Sequence, residues 1–194
     1  MNFLSAKSFI LNELDALSPA LTYHGKHHTL DVYAVSEQLC LSEKISEQDT
    51  LLVLTAALWH DSGFLRHYRD HEAHSCRFAE ETLPNFGYTE GAIKTICGLI
   101  MATKIPQSPK TPLEKILCDA DLDYLGRMDF YAIGQTLFKE MRLLKMINSE
   151  QDWNKLQISF LEKHSYFTET NQQERTALKE KHLQQLRRLM KGVL

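Results

Sequence analysis

The residues best suited to chemistry in this sequence are His60 and Asp61, which stand side by side after the apolar run 51–59. Adjacent side chains in mid-helix point about 100° apart and do not easily hold one atom. At a helix end the backbone can turn, so both side chains can converge on a common point. An imidazole and a carboxylate together suit a borderline or hard divalent metal. For an isolated pair, the commoner explanation is a histidine favoured by the helix dipole beside a solvated aspartate.

Two other stretches carry residues of the same kinds. His28 comes four residues after His24, and the intervening Gly25 predicts that His24 precedes a helix that His28 begins. Acidic residues occupy positions 119, 121 and 123 of another predicted helix, where alternate positions spread around the axis. At least one of these carboxylates should therefore face inward, which is costly unless it is paired or binds a metal.

The elements that must position these residues are all predicted to be helices. Apolar residues recur at helical spacing, and Thr111-Pro112 is typical of a helix start. No stretch has a convincing strand pattern, so the chain is predicted to be all-α, with one domain or one domain plus a helical extension. The predicted helical stretches are 3–17, His28 to about Cys40, 47–60, a stretch ending near Leu83, 89–104, 111–126, 129–147, 151–165 and 168–192.

Composition excludes several classes of partner. A net charge of −3 gives no overall basic field, so no nucleic acid duplex is expected as a partner. No apolar run approaches the roughly 20 residues that span a bilayer, and the first residues do not resemble a signal peptide. The four cysteines are scattered singly, which favours reduced thiols and a cytoplasmic location.

The order of these stretches resembles the HD superfamily of metal-dependent phosphohydrolases. Residues 23–32, YHGKHHTLDV, resemble the Y-H-N-x-x-H-A-x-D-V motif of class I cyclic-nucleotide phosphodiesterases, with Gly25 in place of Asn and Thr29 in place of Ala. Residues 58–63, LWHDSG, resemble the L-x-H-D-x-G element, and residues 119–123, DADLD, resemble the distal DAD-x-L element. The resemblance implies an HD-domain helical bundle at 1–128, with a C-terminal helical extension at 129–194 packed on it.

The same resemblance implies a ligand set for one divalent ion, which could be Mn, Ni, Co, Fe, Zn or Mg. The implied ligands are His28, His60, Asp61 and Asp121, with Asp119 as the alternative fourth ligand. A bound divalent ion lowers the pKa of its water and polarises a phosphoryl oxygen. Asp61 would also orient the attacking water, and His24 matches the histidine that protonates the leaving group in the phosphodiesterase-like motif.

Further candidates surround this set. His71 follows His60-Asp61 by about ten residues and could bind a second metal or contact phosphate. The dinuclear HD-GYP pattern also needs a His-His pair before the final Asp, which residues 75–163 lack, so one metal is favoured. Arg66, Arg69 and Lys104 are candidate phosphate ligands, although a residue of this kind is more often a solvated surface charge. His164 and Tyr166 are candidates for the roof of the pocket.

The sequence therefore predicts a metal-dependent phosphohydrolase that uses a metal-activated water. Its expected partner is a small phosphorylated substrate, a nucleotide or similar phosphomonoester or phosphodiester, and the helical surfaces allow a homodimer. The alternative is an HD-type metal-binding module that senses nucleotides or regulates, with little or no turnover. A purely structural helical bundle would require three matched motifs by chance.

Overall fold

The computed structural model describes residues 1–192, and its regular structure there is entirely helical, without β-strands. The prediction of an all-α fold is confirmed. The ten α-helices are α1 Phe3–Glu13, α2 Lys26–Ser42, α3 Glu47–Trp59, α4 His71–Thr82, α5 Glu90–Ala102, α6 Pro112–Asp121, α7 Phe130–Leu143, α8 Glu150–Lys163, α9 Glu169–Glu174 and α10 Thr176–Met190. None of these helices combines the length and apolar character needed to cross a membrane.

Side chains that cap the backbone set where many of the helices begin. The cap oxygen accepts the N–H three residues on, which satisfies a donor that has no partner within the helix. Thr111 forms a full capping box with Glu114, with Pro112 at the first helical position, as the sequence indicates. Single caps of the same kind are made by Asn2, Ser46, Thr89, Ser149 and Thr168.

Helix α3 is the centre of the first hydrophobic core. All of its residues from Leu52 to Trp59 are buried, because α1, α2, α5 and α6 pack around it. Because helices pack against α3 on all sides, the run 51–59 is apolar on every face rather than along one stripe. Helix α3 therefore lies at the centre of this core, and His60 and Asp61 follow directly at its C-terminal end.

The C-terminal helices form a second hydrophobic cluster. Phe130 of α7, Leu161 of α8 and Leu183 of α10 pack there with Tyr23 and Leu122 from the N-terminal part of the chain. This packing agrees with an extension lying on the core, while the predicted boundary at residue 128 stays a prediction. The last two residues of the predicted extension, 193 and 194, lie outside the described residues.

The predicted continuous helix 168–192 is instead two helices, α9 and α10, which meet at Arg175. Here the turn Asp123–Gly126 presses against the chain, and a Cβ on Gly126 would lie 2.5 Å from the Arg175 carbonyl oxygen. The Arg175 Nε also donates to Asp123 Oδ1 at 2.8 Å. A tertiary contact therefore interrupts a stretch whose local sequence favours one helix.

Candidate metal centre

The chain turns sharply where α3 ends, and Ser75 of α4 fixes that turn. Its Oγ donates to the His60 carbonyl oxygen at 2.6 Å and accepts the Gly63 N–H at 2.8 Å. A Cβ on Gly63 would lie 2.0 Å from the His71 carbonyl oxygen, so only glycine allows α4 to start this close. The turn lets the neighbouring side chains of His60 and Asp61 point to one place.

Four predicted metal ligands meet at this place. His28 Nε2 lies 3.4 Å from His60 Nε2 and 3.1 Å from Asp121 Oδ1. Asp61 Oδ2 lies 3.2 Å from His60 Nε2 and 3.6 Å from His28 Nε2. Helices α2 and α6 thus each bring one ligand to this point, and the residues that directly follow α3, His60 and Asp61, bring two.

The chemistry of this group fits a divalent metal ion. His60 Nδ1 donates to the Ala57 carbonyl oxygen at 2.8 Å, so Nε2 is the nitrogen left to bind. Asp61 Oδ2 is buried without a hydrogen-bond partner. Ligand atoms about 2.0–2.2 Å from a shared ion lie roughly 3–3.5 Å from one another, which is close to the spacing of these atoms. The four residues could therefore hold one ion, and that they do so stays a prediction.

Charges at the centre stabilise one another. Burial lowers the pKa of His60, but the carboxylates of Asp61 and Asp121 outweigh burial and hold that pKa well above its usual value. Burial raises the pKa of Asp61, but His60 and the hydrogen bond with His71 outweigh it and hold that pKa well below its usual value. The pKa of Asp121 is lowered too, so both carboxylates are ionised at neutral pH, and a metal ion at this place would replace the proton that His60 otherwise binds.

Asp119, the alternative fourth ligand, faces away from this centre. Its carboxylate accepts the backbone N–H groups of Phe167 and Thr168 and the Thr168 hydroxyl, at 2.6–3.1 Å. Burial raises its pKa to about 6. The structure brings Asp121 to the histidines, while Asp119 anchors the start of α9.

His24 lies beside the centre and is held by a residue that sequence reasoning missed. Its Nδ1 lies 2.5 Å from Glu140 Oε1 of α7, while Glu140 Oε2 accepts the backbone N–H groups of Tyr23 and His24 at 2.7 and 3.0 Å. Burial lowers the pKa of His24, but the hydrogen bond and charge of Glu140, with the charge of Asp61, raise it overall. A protonated His24 is thereby favoured.

The sequence did contain a signal for Glu140. Phe130, Ile133 and Leu137 form the apolar face of α7 at spacings of three and four, and Glu140 comes three residues later on that face. A carboxylate at such a position is expected to have a buried partner. The partner itself lies 116 residues away in the chain, so local pattern could not name it.

His71 approaches the opposite oxygen of Asp61. Its Nε2 lies 3.3 Å from Asp61 Oδ1 and 3.6 Å from Glu72 Oε1. Both His71 and Glu72 line the cavity beside the centre. Asp61 therefore presents Oδ2 to the histidine pair and Oδ1 to His71.

Arg66 and Lys104, two of the candidate phosphate ligands, have carboxylate partners on the surface. The Arg66 guanidinium donates to Glu81 at 2.8 and 3.3 Å, and Lys104 Nζ donates to Asp70 at 2.7 Å. Neither side chain lines the cavity. A role for them in binding phosphate stays a prediction without a supporting contact.

His164 and Tyr166 are buried behind the site rather than in its lining. The Tyr166 hydroxyl donates to the carbonyl oxygens of Leu122 and Asp123, both at 3.2 Å. Burial lowers the pKa of His164 to about 4, so the ring is neutral. Tyr166 holds the chain that follows Asp121, and a direct roof role for either residue stays a prediction.

A cavity of about 220 Å³ opens directly onto the centre. His24, Asp61, His71 and Asp121 line one end of it, and side chains of α7 and α8 line the other. The C-terminal extension therefore supplies both Glu140 and much of the wall of the site.

Comparison with known proteins identifies the family. A family model described as the HD domain matches residues 25–123, just over half of the chain, and these residues include all four predicted ligands. The chain belongs to the HD-domain family. This membership and the His28, His60 and Asp121 cluster support a metal-dependent hydrolase.

One solved structure is similar over almost the whole chain. It is the crystal structure of a predicted HD superfamily hydrolase from an uncultured Thermotogales bacterium, with a TM-score of 0.63 and 20% sequence identity. The match covers 95% of this chain and 91% of that one, so the similar fold includes the C-terminal helices. No curated protein matches the sequence.

Proposed function

We propose that this HD-domain protein is a metal-dependent phosphohydrolase that cleaves a phosphomonoester or phosphodiester bond of a nucleotide or similar small phosphoester. The observation that carries the proposal is the meeting of His28, His60, Asp61 and Asp121 at one end of a cavity that His24 also lines. A metal centre and a protonated histidine on one cavity are what hydrolysis of a phosphate ester needs.

The four converging residues would hold the ion. When bound, a divalent ion supplies a positive charge that polarises a phosphoryl oxygen and acidifies water. The Nδ1 hydrogen bond from His60 to Ala57 keeps Nε2 free and fixes the ring orientation. No rearrangement of these side chains is needed for them to act together.

On the nucleophile side, Asp61 and His71 orient the water. Asp61 Oδ1 and His71 Nε2 lie 3.3 Å apart, and both residues line the cavity. The pair can accept the proton that water loses as its oxygen bonds to phosphorus.

On the leaving-group side, His24 supplies a proton. Because the Nδ1 of His24 is hydrogen-bonded to Glu140, the proton available to the substrate is the one on Nε2. As the phosphorus–oxygen bond breaks, its electron pair stays on the leaving oxygen, which takes that proton and departs as an alcohol. Glu140 stabilises the charged imidazole before the transfer.

The test is release of inorganic phosphate from phosphomonoesters, and of p-nitrophenol from p-nitrophenyl phosphodiesters, in the presence of Mn, Ni, Co or Mg. Asp61→Asn keeps the shape but removes the charge, and activity is expected to fall by at least a hundredfold. Asp15→Asn is the matched control, because the Asp15 side chain is 64% exposed, pairs with Lys26 and does not line the cavity. Equal rates in the Asp61→Asn protein and the wild type would overturn the proposal.

A further inference from the structure

The cavity next to the metal centre has an apolar wall. Beyond the metal end, α7 and α8 contribute Leu137, Met141, Trp153, Leu156 and Phe160. An engineered apolar cavity of about 150 Å³ is large enough to bind benzene. The present cavity, about 220 Å³, therefore has room for a somewhat larger organic group.

The same wall lacks cations. Among the described residues that line the cavity there is neither lysine nor arginine, whereas three carboxylates, Asp61, Glu72 and Asp121, do line it. Arg66 and Lys104 face Glu81 and Asp70 instead. Apart from the protonated His24 beside the centre, a second phosphate or a carboxylate on the substrate would find no positive partner in this lining, and it would lose its hydration.

The entrance is apolar as well. Ile105 is 52% exposed and Leu156 is 43% exposed, yet both line the cavity. Ligand cavities are lined mainly by apolar side chains, and these two continue that lining to the surface. An apolar group could enter past them without leaving an apolar environment.

We propose that the substrate carries one phosphoryl group on an uncharged, apolar aryl or alkyl group, and that the wall formed by α7 and α8 binds this group. The inference rests on the proposed function, since the phosphoryl group must lie at the metal end. It narrows the substrate class, because esters with a second anionic group, such as nucleoside di- and triphosphates, are disfavoured.

The test is calorimetric binding of phosphonates, which cannot be hydrolysed, to the manganese-loaded protein. Affinity should rise on the order of tenfold from ethylphosphonate to butylphosphonate, because two more methylene groups are buried. 3-Phosphonopropanoate, which carries a carboxylate at a similar length, should bind at least tenfold more weakly than butylphosphonate. Equal affinities across the three compounds would overturn the inference.

A charge placed at the entrance should reverse this preference. In Leu156→Lys, affinity for butylphosphonate should fall severalfold and affinity for 3-phosphonopropanoate should rise. Leu41→Lys is the matched control, because Leu41 is 82% exposed on α2 and does not line the cavity. If both variants lost the preference for butylphosphonate over 3-phosphonopropanoate to the same extent, the wall near Leu156 would not be what selects the ligand. That result would also overturn the inference.

Turnover separates this inference from the proposed function. If butylphosphonate binds with the expected preference but butyl phosphate is not hydrolysed, the proposed hydrolysis fails and the specificity stands. If glycerol 3-phosphate and butyl phosphate are hydrolysed at equal kcat/KM and the phosphonates bind equally, hydrolysis stands and the specificity fails.

Discussion

At the scale of single residues, carboxylates that are close in the sequence make different contacts in the structure. Asp121 faces the histidines, whereas Asp119, two positions earlier, binds the start of α9. Glu140 has no part in the ligand cluster, yet it fixes both the backbone and the ring of His24. Roles at this scale follow from the direction in which each side chain points.

Glu140 should set the pH range in which His24 donates a proton. The pKa of His24 is raised above its usual value, and only the protonated ring can donate, so the rate should fall as pH rises through that pKa. In Glu140→Gln the pKa of His24 falls, and the decline should begin at a lower pH. The measurement is kcat against pH with an alkyl phosphate, and the exposed Glu37→Gln variant is the control. An unchanged profile would contradict the role of Glu140.

Glu140 should also stabilise the fold over a defined pH range. A raised folded-state pKa of His24 contributes stability that is complete below about pH 6.5 and is lost as pH rises through the folded value. Glu140 has a lowered pKa and stays charged at that pH. Glu140→Gln should therefore cost about 2 kcal/mol of unfolding free energy at pH 6 and less at pH 9, as measured by urea denaturation.

Asp119 and Asp121 should respond oppositely to truncation. Asp119→Ala leaves the two backbone N–H groups and the hydroxyl that it binds without their acceptor, so it should cost about 3 kcal/mol of unfolding free energy and leave bound metal unchanged. Asp121→Ala should lower metal affinity at least tenfold. For each variant, urea denaturation measures the unfolding free energy, and mass spectrometry measures the bound metal. A folded Asp119→Ala protein without metal would contradict the assignment.

At the scale of elements, the N-terminal part of α4 and the end of α3 are packed as one unit. Ser75 bonds to both sides of the turn, and Gly63 allows the backbone of His71 to come close. The placement of His60, Asp61 and His71 therefore depends on how two helices pack.

Gly63→Ala should damage this unit. The added methyl group would overlap the His71 carbonyl oxygen, so α4 must move, with an expected loss of about 2–3 kcal/mol in unfolding free energy and of most activity. Gly91→Ala in α5 is the matched control, because its methyl group would meet nothing within 4 Å. Alanine favours helix over glycine by up to about 1 kcal/mol, so this variant should be as stable as the wild type or more so. Equal stability of the two variants in denaturant would contradict this account.

The elements also indicate what sequence can and cannot predict. Caps such as Thr111 with Glu114 act within one turn, so the helix start was visible in the sequence. The motif order placed His28, His60, Asp61 and Asp121 together in the prediction, and the structure brings them to one point. The break at Arg175 and the partner of His24 depend on contacts between distant segments, which no local pattern contains.

At the scale of the whole molecule, the site belongs to both parts of the chain. The core supplies the predicted ligands and His24, and the C-terminal helices supply Glu140 and the apolar wall of the cavity. A ligand bound at the centre therefore stabilises the packing of the entire bundle rather than one element of it.

Metal removal should lower the melting temperature. A ligand at about a thousand times its Kd adds roughly 4 kcal/mol to folded-state stability, and in a chain of this size 1 kcal/mol shifts Tm by about 2–4 °C. A chelator should thus lower Tm by roughly 10 °C relative to the manganese-loaded protein, as measured by calorimetry. The difference should shrink as pH falls, because protons compete with the metal for His60, whose pKa is held well above its usual value. In the Asp61→Ala protein, the chelator should not lower Tm. A decrease of equal size in that variant would contradict the assignment of the metal site to this place.

The contact between His24 and Glu140 also has a consequence for the order of events during protein synthesis. All four residues of the ligand set have been made once Asp121 joins the growing chain, whereas Glu140 follows about 20 residues later. At translation rates of about 5–20 residues per second, this interval lasts roughly 1–4 s. A nascent chain in this interval has the complete ligand set but no partner for its proton donor. Under the proposed function, the residues of the ligand set are therefore synthesised before the residue that holds the proton donor.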